Sequence, residues 1–202
     1  MNNDLKKFES ETCERIGEKR YLHTIRVRDV AIDLANIYGV DPEKAEIAGF
    51  LHDCAKIRDE KKLIKEAKNQ GLLITEEMKR APQIIHSHLG RVMAKNLYGI
   101  DDEDILNAIS YHTTGRPNMS DLEKIIFLAD YIEPMRNFDG VDVARKLAKK
   151  DLDSAMYFAL NNTLKFLVEK DKYIVVETVL ARNFYEEMSN WKLFLNLFLL
   201  QY

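Results

Sequence analysis

Structure breakers are scarce in this sequence: four prolines and eight glycines in 202 residues. That excludes a collagen-like chain and argues against a low-complexity, disordered one. Two cysteines, Cys13 and Cys54, supply neither a disulfide framework nor a Cys-x-x-Cys zinc or redox motif. Neither sign of charge is in large excess. Thirty basic residues face 33 acidic ones, a net charge of −3, so no global field recruits nucleic acid. No apolar run reaches the ~18 residues that a membrane helix needs. The first twenty residues are polar and mixed in charge, unlike a signal or transit peptide. The glycines form no Gly-x-x-x-x-Gly-Lys or Gly-x-Gly-x-x-Gly phosphate loop. The expectation is a reduced, cytoplasmic domain with no nucleic-acid or membrane partner.

What is present is helical periodicity. Leu22, Ile25, Val30, Leu34 and Ile37 recur at three and four spacing, which predicts one buried helix face. Gly39 stands where a helix-ending glycine belongs. Asp41-Pro42-Glu43 opens a second helix, expected to run to about Cys54. Residues 58–70 read as a charged helix. Asp101-Asp102 precedes another, and Ser120-x-x-Glu123 is a capping box opening an apolar helix that Pro134 ends. A long amphipathic helix spans Asp151 to Lys170. Tyr173-Ile-Val-Val has strand propensity but no visible partner strand, so it reads as the start of a helix through Ala181 and Phe184. The pattern predicts an all-α bundle: one domain over residues 1–190, then an apolar tail, 191–202, of unknown role.

Within these apolar helices stand polar residues that need an explanation. His52-Asp53 lies inside AEIAGFLHDCAK, His23 beside Leu22 and Ile25, and Asp130 in LEKIIFLADYI. A buried ionised Asp is costly unless paired or metal-bound. Taken singly, each has an ordinary alternative: a satisfied core histidine, a cap partner. Taken together, two histidines and two aspartates on apolar helices suit a metal site inside a bundle. Mixed nitrogen and oxygen donors favour Mn, Fe, Co or Ni over Mg or Ca. Arg26 follows His23 by three residues and Lys56 follows Asp53 by three. On a helix each cation would share the face of its partner and be available to a phosphate.

The order His23…His52-Asp53…Asp130 resembles the ligand pattern of the HD-domain metal-dependent phosphohydrolases. HTIRV, AGFLHDCAK, IIHSHLG, YHTTGRPNMS, EKIIFLADYIEPMR and the late Ala181-Arg182-Asn183 resemble one bacterial branch. These are the YqeK-like symmetrical bis(5′-nucleosyl)-tetraphosphatases, matched over roughly residues 15 to 188. Position 28 is Arg and position 88 is His, where small or apolar residues are expected.

The resemblance implies an all-α HD-type fold and cleavage of diadenosine tetraphosphate into two ADP by metal hydroxide attacking phosphorus. His23, His52, Asp53 and Asp130 would hold a divalent transition metal, Fe with Mn or Co as alternatives. Asp53 would bridge to a second ion or orient the water. His86 and His112 would complete that second site or contact phosphate, and one versus two ions stays open. Asp53 and Lys56 are the expected catalytic residues. Arg26, Lys56, Thr113, Thr114, Gly115, Arg116, Arg136 and Arg182 are the candidates for binding substrate. His88 is expected to lie outside the ligand set. A homodimer is left open. The ligand pattern does not choose the nucleoside, so a nucleotidase, a cyclic-nucleotide phosphodiesterase, a di-iron oxygenase and a non-catalytic nucleotide sensor stay as alternatives.

Overall fold

The computed structural model describes residues 12–199, with side chains to residue 189. Among them every regular element is helical: a turn of helix at 12–16, then α1 (Glu18–Tyr38), α2 (Pro42–Leu51), α3 (Glu60–Asn69), α4 (Glu76–Arg80), a 3-10 turn (Pro82–Ile84), α5 (Ile85–Tyr98), α6 (Glu103–Tyr111), α7 (Asp121–Ile132), α8 (Val141–Ala148), α9 (Leu152–Glu169) and α10 (Val176–Leu199). No helix of the described residues is long and apolar enough to cross a membrane.

Side chains set most of the starts. Asp41, Asp59, Asp102 and Asp151 each accept a backbone N–H at a helix start. Ser120 and Glu123 form the full capping box of α7. Gly39, at φ 68°, closes α1 in the left-handed conformation. Pro134 restricts Glu133 to extended backbone, so α7 stops at Ile132.

Helix α7 is the middle of the bundle. Leu122, Ile125, Ile126, Phe127, Leu128 and Ala129 are all buried, so it is enclosed on nearly every side. Helices α1, α2, α6, α8 and α9 pack around it. Asp130 sits near its C-terminal end.

Three expectations need correction. The buried face of α1 is His23, Thr24, Val27, Ala31, Leu34 and Ala35; of the expected stripe Leu34 is buried and Ile25 and Val30 pack against the core, but Leu22 and Ile37 are about half exposed. Close packing is the reason. A Cβ on Gly49 of α2 would lie 2.9 Å from the Arg28 Cα, so the two helices meet through their small residues. Helix α2 ends at Leu51 rather than Cys54. Finally, 173–175 is irregular and α10 begins at Val176. Asp171, at φ 50°, reverses the chain. The Val176 N–H donates to Glu77 Oε1 at 2.9 Å, and Arg80 lies over the Tyr173 ring at 4.2 Å. Those tertiary contacts hold the segment extended. The side chains of the expected apolar tail lie outside the described residues.

Candidate metal centre

The early end of α2 lets His52 and Asp53 serve one site. Neighbours inside a helix point about 100° apart. Here His52 is the C-terminal cap of α2, and a turn closes behind it: Cys54 N–H donates to Leu51 O and Lys56 N–H to Asp53 O. Lys56 therefore arrives from this turn, not from a continuing helix face.

Three histidines share one local device. The Nδ1 of His52, His86 and His112 bonds the carbonyl three residues back, on Gly49, Gln83 and Ile109. A carbonyl only accepts, so Nδ1 carries the proton and Nε2 keeps its lone pair. The fourth, His23, has Nδ1 3.2 Å from Glu133 Oε1. All four are buried, and they come from α1, the end of α2, the start of α5 and the end of α6.

Asp53, 2% exposed, stands between them. Its Oδ2 lies 3.5 Å from His52 Nε2, 3.9 Å from His23 Nε2 and 2.9 Å from an Arg20 guanidinium nitrogen. Its Oδ1 lies 3.1 Å from His86 Nε2, 3.8 Å from His112 Nε2 and 3.7 Å from Lys56 Nζ. Asp130 Oδ1 is 3.1 Å from His23 Nε2. Two overlapping donor sets result, His23–His52–Asp130 and His52–Asp53–His112, each with its ligand atoms within 4.8 Å of one another.

These atoms fit a divalent transition metal. His23 Nε2, His52 Nε2 and Asp53 Oδ1 are buried without a directed hydrogen bond, despite their close neighbours. The Nε2 atoms of His86 and His112 face each other at 3.2 Å, two lone pairs that repel unless a proton or cation stands between them. An unsatisfied buried polar atom costs about 1–3 kcal/mol, and a cation ligated by these atoms removes that cost.

The electrostatics agree. Burial opposes ionisation of Asp53, but His52 and His86 outweigh it and hold the carboxyl well below its usual range. Asp130 is half-buried; desolvation opposes its ionisation too, yet His23 and Arg136 hold its carboxyl far down. Burial, with His52 and His86 nearby, pushes His112 down to about 3. It also lowers His86. His52 is pulled the opposite way: burial works against its charged form, and Asp53 still raises its pKa. A bound cation would compete with that proton.

Two cavities flank the centre. One, of about 710 Å³, is lined by His23 and by Lys19, Arg20, Arg26, Arg58 and Arg136, with Glu133 at its base. The other, of about 680 Å³, is lined by His112, Thr113, Asp130 and Arg136 and continues to Tyr131, Phe138, Asn162 and Phe166.

The structure brings His23, His52, Asp53, His86, His112 and Asp130 together, with Lys56 Nζ 3.0 Å from His86 Nε2 and Thr113 Oγ1 3.4 Å from the same atom. Arg26 Nε donates to Glu133, and Arg136 bonds Asp130. Other residues expected to bind substrate hold contacts within the chain. Thr114 donates to Glu177. A Cβ on Gly115 would meet Ala181 and Leu160. Arg116 forks onto Glu123, which is also the capping-box acid. Arg182 bonds the Tyr157 hydroxyl and Asn183. Each fastens the 113–120 loop or α10 to its surroundings. His88 stands outside the ligand set, with Nδ1 on the Ser110 hydroxyl.

Two contributors were missed. Arg20 precedes His23 by three residues, so the spacing that pointed to Arg26 points equally to it. Glu133 follows Asp130 by three but lies past the end of α7, where helix spacing gives no guide.

Comparison with known proteins agrees with this geometry. Residues 20–135 match the HD domain family. A protein of Halalkalibacterium halodurans named symmetrical bis(5′-nucleosyl)-tetraphosphatase is 47% identical over 83% of this chain and 89% of its own. One of the same name from Bacillus subtilis is 43% identical over 84% of this chain and 91% of its own. A crystal structure from Clostridium acetobutylicum, described as an HD superfamily hydrolase involved in NAD metabolism, superposes with a TM-score of 0.87. It is 47% identical and covers 91% of this chain and 97% of that one.

Proposed function

The chain belongs to the HD domain family, and from that footing we propose that it is a metal-dependent hydrolase of dinucleoside polyphosphates. Its substrate is diadenosine tetraphosphate, cut symmetrically into two ADP; relatives named symmetrical bis(5′-nucleosyl)-tetraphosphatase support that reading. The observation that carries this reading is Asp53, whose two oxygens each face a different set of imidazole nitrogens.

His23, His52, Asp130 and Asp53 Oδ2 would hold one divalent cation; Asp53 Oδ1, His86 and His112 would hold a second. Fe is the proposed metal, with Mn or Co as alternatives for the same donors. Bound there, such cations acidify a water and neutralise charge on phosphoryl oxygens. The protein's own groups do the rest. Asp53, ionised and weakly basic, orients the attacking water. Lys56 donates to a phosphoryl oxygen from beside His86. Arg20, Arg26, Arg58 and Arg136 line the cavity that takes the polyphosphate, and Arg136 reaches both cavities. The leaving group is a nucleoside diphosphate, so no separate general acid is required.

Product analysis tests this. Protein loaded separately with Fe(II), Mn(II) or Co(II) is incubated with diadenosine tetraphosphate and the nucleotides are separated. ADP as sole product is expected. AMP plus ATP would place the attack on another phosphorus. Intact substrate with every metal would overturn the activity.

A further inference from the structure

The second cavity has more structure than a phosphate site needs. Its inner end is His112, Asp130 and Arg136, and its outer wall is Tyr131, Phe138 and Phe166. We infer that this outer wall is the subsite for one purine nucleobase of the substrate, an inference that rests on the proposed activity.

The chemistry of the wall points there. Tyr131 and Phe138 meet edge to face, with centroids 4.9 Å apart. Phe138 is 36% exposed and Phe166 is 54% exposed. A scattered exposed ring needs no explanation. Rings bordering one cavity beside a phosphate-binding centre form a stacking platform for a base. Asn162 lines the same cavity, beside Tyr131. An amide offers both donor and acceptor, which suits the polar edge of adenine.

Backbone geometry at Gly140 supports the arrangement. Its φ is +92°, and a Cβ there would lie 3.1 Å from Phe158 and 3.4 Å from Asn162 Nδ2. The loop carrying Phe138 therefore sits directly against the α9 residues of the wall. The arginine-lined cavity has no Phe, Tyr or Trp among its described lining residues. The two halves of the substrate are thus held differently: one by base and phosphate, the other through its phosphates.

Calorimetry on metal-loaded protein tests the subsite, with ADP and pyrophosphate as probes. Phe138→Ala, Phe166→Ala and Asn162→Ala are compared with wild type; both rings are exposed, so the fold should tolerate their loss. Each Phe variant is expected to bind ADP about tenfold more weakly, the scale of one lost stacking contact, and Asn162→Ala about fivefold to tenfold more weakly, the scale of one lost hydrogen bond, with pyrophosphate affinity unchanged. Wild-type ADP affinity in both Phe variants would overturn the subsite, as would a parallel loss for pyrophosphate. Cleavage of diadenosine tetraphosphate by the same wild-type sample separates the two claims. Cleavage with ADP binding insensitive to the variants overturns the subsite alone. Ring-dependent ADP binding without cleavage leaves the subsite standing and overturns the activity.

Discussion

Asp53, from the turn after α2, and His86, from α5, approach until Oδ1 and Nε2 are 3.1 Å apart, while the other Asp53 oxygen faces His52 and His23. One carboxylate therefore serves two sides of the centre, and Lys56 borders one of them.

Removing the carboxylate and removing the ammonium should separate two functions. Asp53→Ala is expected to abolish turnover and lose bound metal. Lys56→Ala should keep its metal and slow turnover roughly 10- to 100-fold, the scale of a hydrogen bond to a charged group, about 1.5–3 kcal/mol. Elemental analysis beside kinetics reads both effects. Equal metal loss in the two variants would refute the division. His88→Ala should change little, because its imidazole is spent on Ser110.

Glu133 orients His23 through Nδ1 and Arg26 through Nε. Glu133→Gln should weaken metal affinity roughly 10- to 100-fold, as loss of a carboxylate behind a ligating histidine does. Titration of the stripped protein with Mn(II) measures it. Unchanged affinity would show that His23 needs no such support.

Arg116 distinguishes loop fastening from substrate contact. Its fork onto Glu123, which is 1% exposed, leaves a buried carboxylate unpaired in Arg116→Ala. With Arg116 itself about one-third exposed, the expected destabilisation is about 2 kcal/mol, read by denaturant unfolding. The KM for diadenosine tetraphosphate should not change. A raised KM without lost stability would show that Arg116 contacts substrate rather than fastening the loop.

Much of the fold was legible because helix ends are written locally. Asp41, Asp102, Asp151 and the Ser120–Glu123 pair cap where the sequence places them. The buried face of α1 was legible only in its middle, at Ile25, Val30 and Leu34. Large apolar residues drew attention, while Ala31 and Ala35 are what the close approach to α2 requires. The ligand set was legible from polar residues stranded in apolar helices and from family resemblance. Their Nδ1 bonds were not, because they depend on where each helix stops. The aromatic wall was least visible: Tyr131, Phe138, Asn162 and Phe166 belong to α7, a loop and α9, and only tertiary packing joins them. The contacts that Thr114, Gly115, Arg116 and Arg182 make within the chain were not legible, since a partner such as Glu177 is far along the sequence.

Metal should also stabilise the fold. At a free concentration about 100 times its Kd, a ligand of the folded state adds about 2.7 kcal/mol. For a chain of this size that is roughly 5–10 °C in Tm. Chelation should remove the increment and Mn(II) should restore it. Asp53→Ala should show no metal-dependent rise, and a rise equal to wild type would place the binding elsewhere.

Anomalous scattering from crystals of the Mn(II)- or Fe(II)-loaded protein tests the centre most directly. Two peaks are predicted, one on each side of the Asp53 carboxylate and about 3.5–4 Å apart. One should lie among His23, His52 and Asp130, the other beside His86 and His112. A single peak, or peaks that Asp53 does not touch, would contradict the account.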